Sequence, residues 1–353
     1  MAESRLDSLG VLDALRGAPE QLATAHGAAG EQLEHLALPD RSDIDHVVVV
    51  GMGGSGVVGD IVAAAGAPML PVPVTVLKQY GAPASIGPRT LVVAVSYSGN
   101  TDETLSMAQC ALDAGAALLA VSNGGALADL ARAHHAPYLP CLDGIPMPRL
   151  ALGALVAPVI VALVRTGLWP EAHSELVMAQ RQLAVRRDQC HAEIVGPQNP
   201  ARELARRIGR TIPLVYGAGG LAGVAAMRWK QAFNENAKAP AFWNTHPELE
   251  HNEICGWGQH GDVTRQLLTL IVLRHGLEDA RLDSRVQVSR ELTEEAFASV
   301  LEVDASGEGR LAQLLDLVHL GDWTSAYLAL ENDVDPGPVD AITRLKASSS
   351  KTA

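Results

Sequence analysis

Two short loops near the start of the chain carry the residue types from which proteins build an anion site. The first reads Gly-Met-Gly-Gly-Ser-Gly from Gly51 to Gly56, and the second reads Ser-Tyr-Ser-Gly-Asn-Thr from Ser96 to Thr101. Each follows an apolar, β-branched run and precedes a segment with helical periodicity. A strand that leads through such residues into a helix presents free N–H groups, hydroxyl donors and the positive end of a helix dipole. The two loops therefore predict a phosphate held between them.

The first loop also matches G-x-G-x-x-G, the pattern of a dinucleotide-binding turn. That interpretation needs an acidic residue about 20 positions further on, at the end of the next strand. The next predicted strand, 72–77, is followed by Lys78, Gln79 and Tyr80, none of which is acidic. The dinucleotide interpretation also leaves the serine-rich second loop unexplained. A simpler alternative is that the glycines are needed only for tight packing between strand and helix.

Composition and charge exclude several classes of function. The 353 residues are 48% hydrophobic and only 4% aromatic, and the net charge is −13. Few aromatic side chains are present to stack on bases, and the negative charge opposes binding to nucleic acid or to anionic membranes. We therefore expect neither a nucleic-acid partner nor a membrane partner.

The cysteines and the apolar segments indicate a cytoplasmic protein. The four cysteines are scattered without C-x-x-C spacing, so we predict reduced thiols and no metal site. Residues 1–10 are polar and do not read as a secretion signal. The longest apolar stretch, 150–164, is too short for a membrane span and contains Gly153 and Pro158.

Strand and helix patterns alternate from residue 47 to 140, as in a doubly wound α/β unit. The continuous apolar runs are typical of parallel strands covered on both faces. We predict strands at 47–50, 72–77, 91–95, 117–121 and 136–140, and helices at 55–66, 100–114 and 125–133. The ligand crevice of such a unit lies at the carboxyl ends of its strands. Helical segments at 149–167 and 171–193 follow.

The sequence then repeats this pattern. Residues 212–222 align with the segment from Val47 onward, and Gly219 and Gly220 match Gly53 and Gly54. We predict further strands at 267–273, 285–289 and 298–303, and helices at 308–320 and 322–331. Leu221 replaces Ser55, and the serine-rich loop has no counterpart, so one anion site per chain is expected. The domains are predicted as 1–152, a helical connection 153–195, and 196–353 with a C-terminal helix.

The order and spacing of these motifs resemble a known family. G-x-G-G-S-G followed about 40 residues later by S-Y-S-G-N-T-x-E-T is similar to the signature of a sugar isomerase (SIS) domain. The tandem arrangement resembles the bifunctional phosphoglucose/phosphomannose isomerases. The resemblance covers about residues 40–347 and includes Asn234–Lys238, His251–Ile254, Asp335–Val339 and Lys346. It implies two flavodoxin-like SIS domains in tandem.

The resemblance also implies roles for individual residues. The substrate phosphate would lie on Ser96, Ser98 and Thr101. The loop of Gly53, Gly54 and Ser55 would line the sugar side. Glu235 is similar to the family's catalytic base, and Arg149 to the arginine that stabilises the charged intermediate. His251 and Lys346 match the residues to which ring opening is attributed, and His251 is expected to come from the neighbouring subunit of a homodimer.

This set suits the interconversion of glucose 6-phosphate or mannose 6-phosphate with fructose 6-phosphate. A carboxylate moves a proton between C2 and C1 through a cis-enediol(ate), and a guanidinium offsets its charge. Side chains alone account for these steps, so no cofactor or metal is expected. Two alternatives stay open: a SIS-type protein that binds sugar phosphates without turnover, and an isomerase of another phosphosugar. A sensor would lack the set of Glu235, His251 and Lys346.

Overall fold

The computed structural model describes residues 6–349, and the first five and last four residues lie outside the described part. The first half is built on a sheet of five parallel strands in the order β2-β1-β3-β4-β5. These strands are β1 His46–Val50, β2 Val74–Leu77, β3 Thr90–Ser96, β4 Ala117–Ser122 and β5 Tyr138–Pro140. This order is that of the flavodoxin-like fold. The prediction of a doubly wound parallel sheet is confirmed.

Helices cover both faces of this sheet and continue into the connection. In chain order they are α1 Val11–Arg16, α2 Ala18–Leu33, α3 Gly53–Gly66, α4 Asp102–Asp113, α5 Gly125–Ala133, α6 Leu152–Arg165 and α7 Ala172–Cys190. Residues 47–50 of β1 are fully buried, as expected for a strand with helices on both sides. A short 3₁₀ turn, Pro148–Leu150, precedes α6 and carries Arg149.

A second parallel sheet has four strands in the order β7-β6-β8-β9. These strands are β6 Ile212–Ala218, β7 Phe242–His246, β8 Leu268–Arg274 and β9 Ser299–Asp304. The helices of this half are α8 Pro200–Ile208, α9 Gly219–Ala232, α10 Gly261–Leu267, α11 Ala280–Thr293, α12 Arg310–Glu331 and α13 Asp340–Ser349. The glycine turn at Gly219 opens α9 directly after β6, as the repeat predicts. The proposed domain boundaries remain a prediction.

The strand predicted at 285–289 is wrong, because these residues lie inside α11. The side chain of Asp279 accepts a hydrogen bond from the N–H of Arg281 and begins the helix there. The alternation of Val286 and Val288 suggested a strand, yet Val286 is buried and Val288 is half exposed. The sequence analysis also missed the edge strand β7, which pairs with β6 on the side opposite to β8.

Helix α12 forms the buried centre of the molecule. Every residue from 311 to 330 is buried, and the helix packs against α7, α8 and α9. The two helices predicted at 308–320 and 322–331 are this single helix. Gly321 lies within it, at a position where an added Cβ would lie 2.3 Å from Nε1 of Trp229, so the close packing of Trp229 requires a glycine there. No described helix is both long and apolar enough to cross a membrane.

Candidate active site

The two glycine- and serine-rich loops meet at the carboxyl ends of β1 and β3. These strands are neighbours in the sheet, at the point where the strand order reverses and α/β proteins bind ligands. The hydroxyl of Ser55, which is buried, accepts a hydrogen bond from the N–H of Tyr97 at 3.2 Å. The structure thus brings the two loops together, as the sequence predicts.

In the serine-rich loop the hydroxyls of Ser96 and Thr101 are hydrogen-bonded to each other, whereas the side chain of Ser98 is exposed. Ser96 Oγ accepts from the N–H of Gly99 at 3.1 Å and shares a hydrogen bond with Thr101 Oγ1 at 2.9 Å. Ser98 is exposed, and its Oγ accepts from the N–H of Asn100 at 3.3 Å. Helix α4 begins one residue after Thr101, so its positive end faces the same crevice. Ser98 is therefore the hydroxyl most open to an incoming anion.

The first loop also contacts the segment that carries Arg149. A Cβ added to Gly54 would lie 3.0 Å from Cα of Arg149 and 3.3 Å from the carbonyl oxygen of Pro148. Only glycine permits this close approach of two backbones. The anion loop and Arg149 are thereby fixed relative to each other.

The side chain of Arg149 is 3% exposed, and each of its three guanidinium nitrogens has a polar neighbour. Nε donates to Oδ1 of Asn236 at 2.8 Å, and one terminal nitrogen donates to the carbonyls of Pro336 and Gly337 at 2.8 and 2.7 Å. The other terminal nitrogen lies 3.9 Å from a carboxylate oxygen of Glu235. Burial lowers the pKa of Arg149, but a guanidinium stays charged in proteins. The site therefore holds a fixed positive charge beside Glu235.

Glu235 lies on a π-helical turn, Phe233–Ala237, that extends α9. Such turns are rare and occur frequently at functional sites. The side chain of Glu235 is 22% exposed and faces a cavity of about 690 Å³. The wall of this cavity is formed by Asn234, Glu235, Lys238, Val334, Asp335 and residues 338–342. The carboxylate is thus half sheltered, within reach of a small molecule and beside a cation.

A buried polar network supports this pair, and sequence reasoning missed it. Asn236 donates to Oγ of Ser325 at 2.9 Å, and Ser325 donates to the carbonyl of Asp322 at 2.8 Å. Arg228 pairs with Asp322 at 2.8 Å and donates to the carbonyl of Arg149 at 2.8 Å. Burial raises the pKa of Asp322 to about 6. Asn236 thus contacts the guanidinium of Arg149 and Arg228 contacts its backbone, so the network orients Arg149, while Nε and Nη1 of Arg228 have no hydrogen-bond partner among the described residues.

A signal for part of this network was present in the sequence. Arg228 precedes Glu235 by seven residues, a spacing that places two helical residues on one face. Asp322 and Ser325 are polar residues in a largely apolar run, which indicates buried partners. The contact of Ser325 with Asn236 joins residues 89 positions apart, and periodicity does not reveal such contacts.

The structure does not bring His251 or Lys346 to the cavity within one chain. His251 is exposed at the end of the 3₁₀ turn Glu248–His251, which follows the edge strand β7. Lys346 is exposed on α13, whose first residue, Asp340, lines the cavity. Of the predicted catalytic residues, Glu235 and Arg149 are therefore the two that meet.

No group of three metal-ligating side chains occurs within residues 6–349. All four cysteines are free, and burial raises the pKa of both Cys141 and Cys190 to about 12. Neither thiol is therefore activated as a nucleophile.

Related sequences match both halves of this arrangement. A family model described as the bacterial phospho-glucose isomerase C-terminal SIS domain matches residues 197–348. The bifunctional phosphoglucose/phosphomannose isomerase of Caldicellulosiruptor bescii is 34% identical over 307 residues, covering 86% of this chain and 89% of the relative. The protein of that name from Aquifex aeolicus is 30% identical over 315 residues, covering 89% of this chain and 93% of the relative. This chain belongs to the bifunctional phosphoglucose/phosphomannose isomerase family.

Solved structures agree with the SIS fold expected of this family. A glucose-6-phosphate isomerase like protein from Thermus thermophilus superimposes with a TM-score of 0.61 at 19% identity, over 95% of each chain. The C-terminal domain of glucosamine-fructose-6-phosphate aminotransferase from Francisella tularensis gives 0.69 at 17% identity, over 93% of this chain and 98% of that one. At these identities the similarity shows the fold alone. The predicted fold and family are confirmed.

Proposed function

We propose that this protein interconverts fructose 6-phosphate with glucose 6-phosphate and mannose 6-phosphate, with Glu235 as the base. Membership of the family makes the chain a sugar-phosphate isomerase; the substrates and the roles of single residues are the proposal. The observation that carries it is the Glu235 carboxylate 3.9 Å from the buried guanidinium of Arg149, on the wall of a cavity. A base beside a fixed cation is what proton transfer through an enediolate needs.

The phosphate would bind at the two loops, with Ser98 and the N-terminus of α4 as its main donors. Ser98 is exposed, whereas the hydroxyls of Ser96 and Thr101 are bonded to each other. In this proposal Ser96 and Thr101 shape the loop and offer their remaining hydrogen-bonding capacity. Gly53, Gly54 and Ser55 would line the sugar, because Gly54 packs against the backbone of Arg149.

The proposed reaction begins when Glu235 takes the proton from C2 of the open-chain aldose. The electron pair of that bond forms the C1–C2 double bond, and the negative charge develops on O1 beside Arg149. Glu235 then returns the proton to C1, and the proton of the C2 hydroxyl moves to O1. The planar C2 of the intermediate erases the difference between the glucose and mannose epimers, so one base serves both.

Ring opening would use His251 and Lys346, neither of which lines the cavity of its own chain. The exposure of His251 supports its donation to a partner's site in a homodimer. Lys346 lies four residues after Ile342, the last cavity residue on α13, which is about 6 Å along the helix axis. We place the homodimer in the cytoplasm, and the chemistry written here needs no cofactor or metal.

The test is the substitution Glu235→Gln, assayed with both aldose phosphates. The change keeps the shape of the side chain but removes the base, and general base catalysis contributes about 10²–10⁴ in rate. We expect both conversions to fall together by at least that factor, and exchange of the C2 proton with solvent deuterium to fall in parallel. The matched control is Glu308→Gln, at an exposed glutamate.

Other results of this assay would favour a different function or a different mechanism. Binding of hexose 6-phosphates without turnover by the wild-type protein would favour the sensor alternative. Turnover restricted to an amino-sugar or pentose phosphate would favour an isomerase of different specificity. If Glu235→Gln converted one epimer at the wild-type rate, the single-base mechanism would be wrong.

A further inference from the structure

Lys238 stands directly after the turn that carries Glu235 and has an unusual backbone conformation. Its φ is +55°, in the left-handed region that few residues other than glycine adopt. From there its ammonium donates to the carbonyl of Glu235 at 2.7 Å, to that of Asn236 at 3.4 Å and to that of Pro336 at 3.3 Å. A lysine that adopts the left-handed backbone conformation and donates to three backbone carbonyls indicates a specific local role.

The three carbonyls belong to two segments that the lysine joins. Those of Glu235 and Asn236 lie at the end of the π-helical turn, where helices leave carbonyls unpaired. The carbonyl of Pro336 belongs to the segment that leads into α13, and it also accepts a hydrogen bond from Arg149. Lys238 and Arg149 therefore both donate to the carbonyl oxygen of Pro336.

The charge of Lys238 is not cancelled by the groups that it contacts. All three acceptors are neutral carbonyl oxygens, and the side chain lines the same cavity as Glu235. The charged groups that face it are Arg149 on the 3₁₀ turn, Glu235 on its own turn, Asp335 in the loop and Asp340 at the start of α13. The side chain of Lys238 is exposed to the cavity, and its partial burial, followed by Arg149, lowers its pKa.

We propose that Lys238 is a positioning residue for Glu235, which ties the turn that carries the base to the Pro336 segment. This rests on the proposed role of Glu235. Without the ammonium, the final carbonyls of the turn lose their donor, and the turn is no longer fixed against the segment that also holds Arg149. Because proton transfer depends steeply on geometry, small displacements of the carboxylate slow the reaction.

The first test compares Lys238→Met with Lys238→Arg. The methionine keeps the aliphatic chain but removes the charge and the donors, so kcat is expected to fall about tenfold to a hundredfold, with KM within about threefold of the wild-type value. The arginine keeps charge and donors and is expected to restore most of kcat. Lys230→Met, on the preceding helix, is the matched control. Thermal melts check that each variant is folded.

The second test uses the pH dependence of kcat, which a merely structural lysine would not govern. In the wild-type enzyme kcat is expected to fall on the alkaline side as Lys238 loses its proton, at a pH below the ordinary lysine value. A guanidinium stays charged throughout this range, so Lys238→Arg should move the alkaline limb to higher pH.

These outcomes separate the inference from the proposed function. A wild-type kcat in Lys238→Met, beside an inactive Glu235→Gln, would overturn the role of Lys238 and leave the role of Glu235 standing. An active Glu235→Gln would instead overturn the base. If Lys238→Met does not fold, an unchanged alkaline limb in Lys238→Arg still contradicts the inference.

Discussion

At the scale of single residues, the serine-rich loop separates structural hydroxyls from the one that is open to ligand. Ser96 is buried and bonded within the loop, whereas Ser98 is exposed. The sequence predicted three hydroxyls for a phosphate site but could not rank them, because their internal bonding depends on how the loop folds.

Replacing Ser98 by alanine should weaken phosphate binding. The loss of one hydrogen bond to a charged oxygen is worth about 1.5–3 kcal/mol, or roughly a tenfold to hundredfold rise in KM. Ser96→Ala is the contrasting variant, since it removes an acceptor for the N–H of Gly99 and should lower the melting temperature. An unchanged KM for every hexose 6-phosphate in Ser98→Ala would place the phosphate elsewhere.

At the scale of elements, the start of α3 packs closely against the 3₁₀ turn that carries Arg149. The repeat supplies a matched position, because Gly220 at the start of α9 aligns with Gly54. A Cβ at Gly54 would meet Cα of Arg149 at 3.0 Å, whereas a Cβ at Gly220 would have no atom within 4 Å. The two aligned glycines therefore face different surroundings.

Substitution Gly54→Ala should displace Arg149 and lower kcat, since an added methyl group at 3.0 Å forces the facing backbone to move. A displacement of this kind can cost up to about a hundredfold in rate. Gly220→Ala should leave kcat near the wild-type value. Steady-state kinetics of the two variants, with melting curves, check this expectation; equal kcat values in both would mean that Gly54 does not set the position of Arg149.

The elements also show what the sequence could and could not predict. Continuous apolar runs identified the buried parallel strands, because strands covered on both faces need them. Strand β7 was missed because it is an edge strand, and two of its residues, Phe242 and Trp243, expose their rings. Motif order predicted Glu235 and Arg149 as site residues, but the contacts of Arg149 with Asn236 and Pro336 exist only in the folded chain.

At the scale of the whole molecule, assembly should govern activity if His251 serves a partner's site. Mixing inactive Glu235→Gln chains with inactive His251→Ala chains should restore partial activity, because some heterodimers then contain one site with both native groups. Subunit exchange is confirmed with differently tagged chains. No recovery after confirmed exchange would place both groups in one chain's own site.

The stability of the molecule should depend on pH through His319 in α12. Burial, and secondly Arg186, lower its pKa from 6.5 to about 3, while burial raises the pKa of Asp322 from 3.8 to about 6. The unfolded chain binds a proton on His319 more readily than the folded chain does. The contribution of neutral His319 to the free energy of unfolding is therefore complete above pH 6.5 and is lost as the pH falls. The aspartate contribution has the opposite slope between pH 3.8 and 6, so the two oppose each other there.

The substitution His319→Gln should remove the contribution of the histidine and leave that of Asp322. Between about pH 6 and 4, the free energy of unfolding of the variant should rise relative to that of the wild type by roughly 1 kcal/mol per pH unit as the pH falls. Denaturant titrations at several pH values measure this difference, and His134→Gln, at an exposed histidine, is the matched control. A difference that does not change with pH would mean that His319 is not kept neutral by burial.

The carbonyls that hold Arg149 come from Pro336 and Gly337, almost at the end of the described chain. During synthesis the two glycine- and serine-rich loops leave the ribosome well before the acceptors for Arg149. A messenger truncated just after α12 would still encode both sheets and Glu235, yet the guanidinium would lack two of its acceptors. Without those acceptors the guanidinium loses its fixed position beside Glu235, so a chain that ends after α12 should show little isomerase activity when assayed beside the full chain.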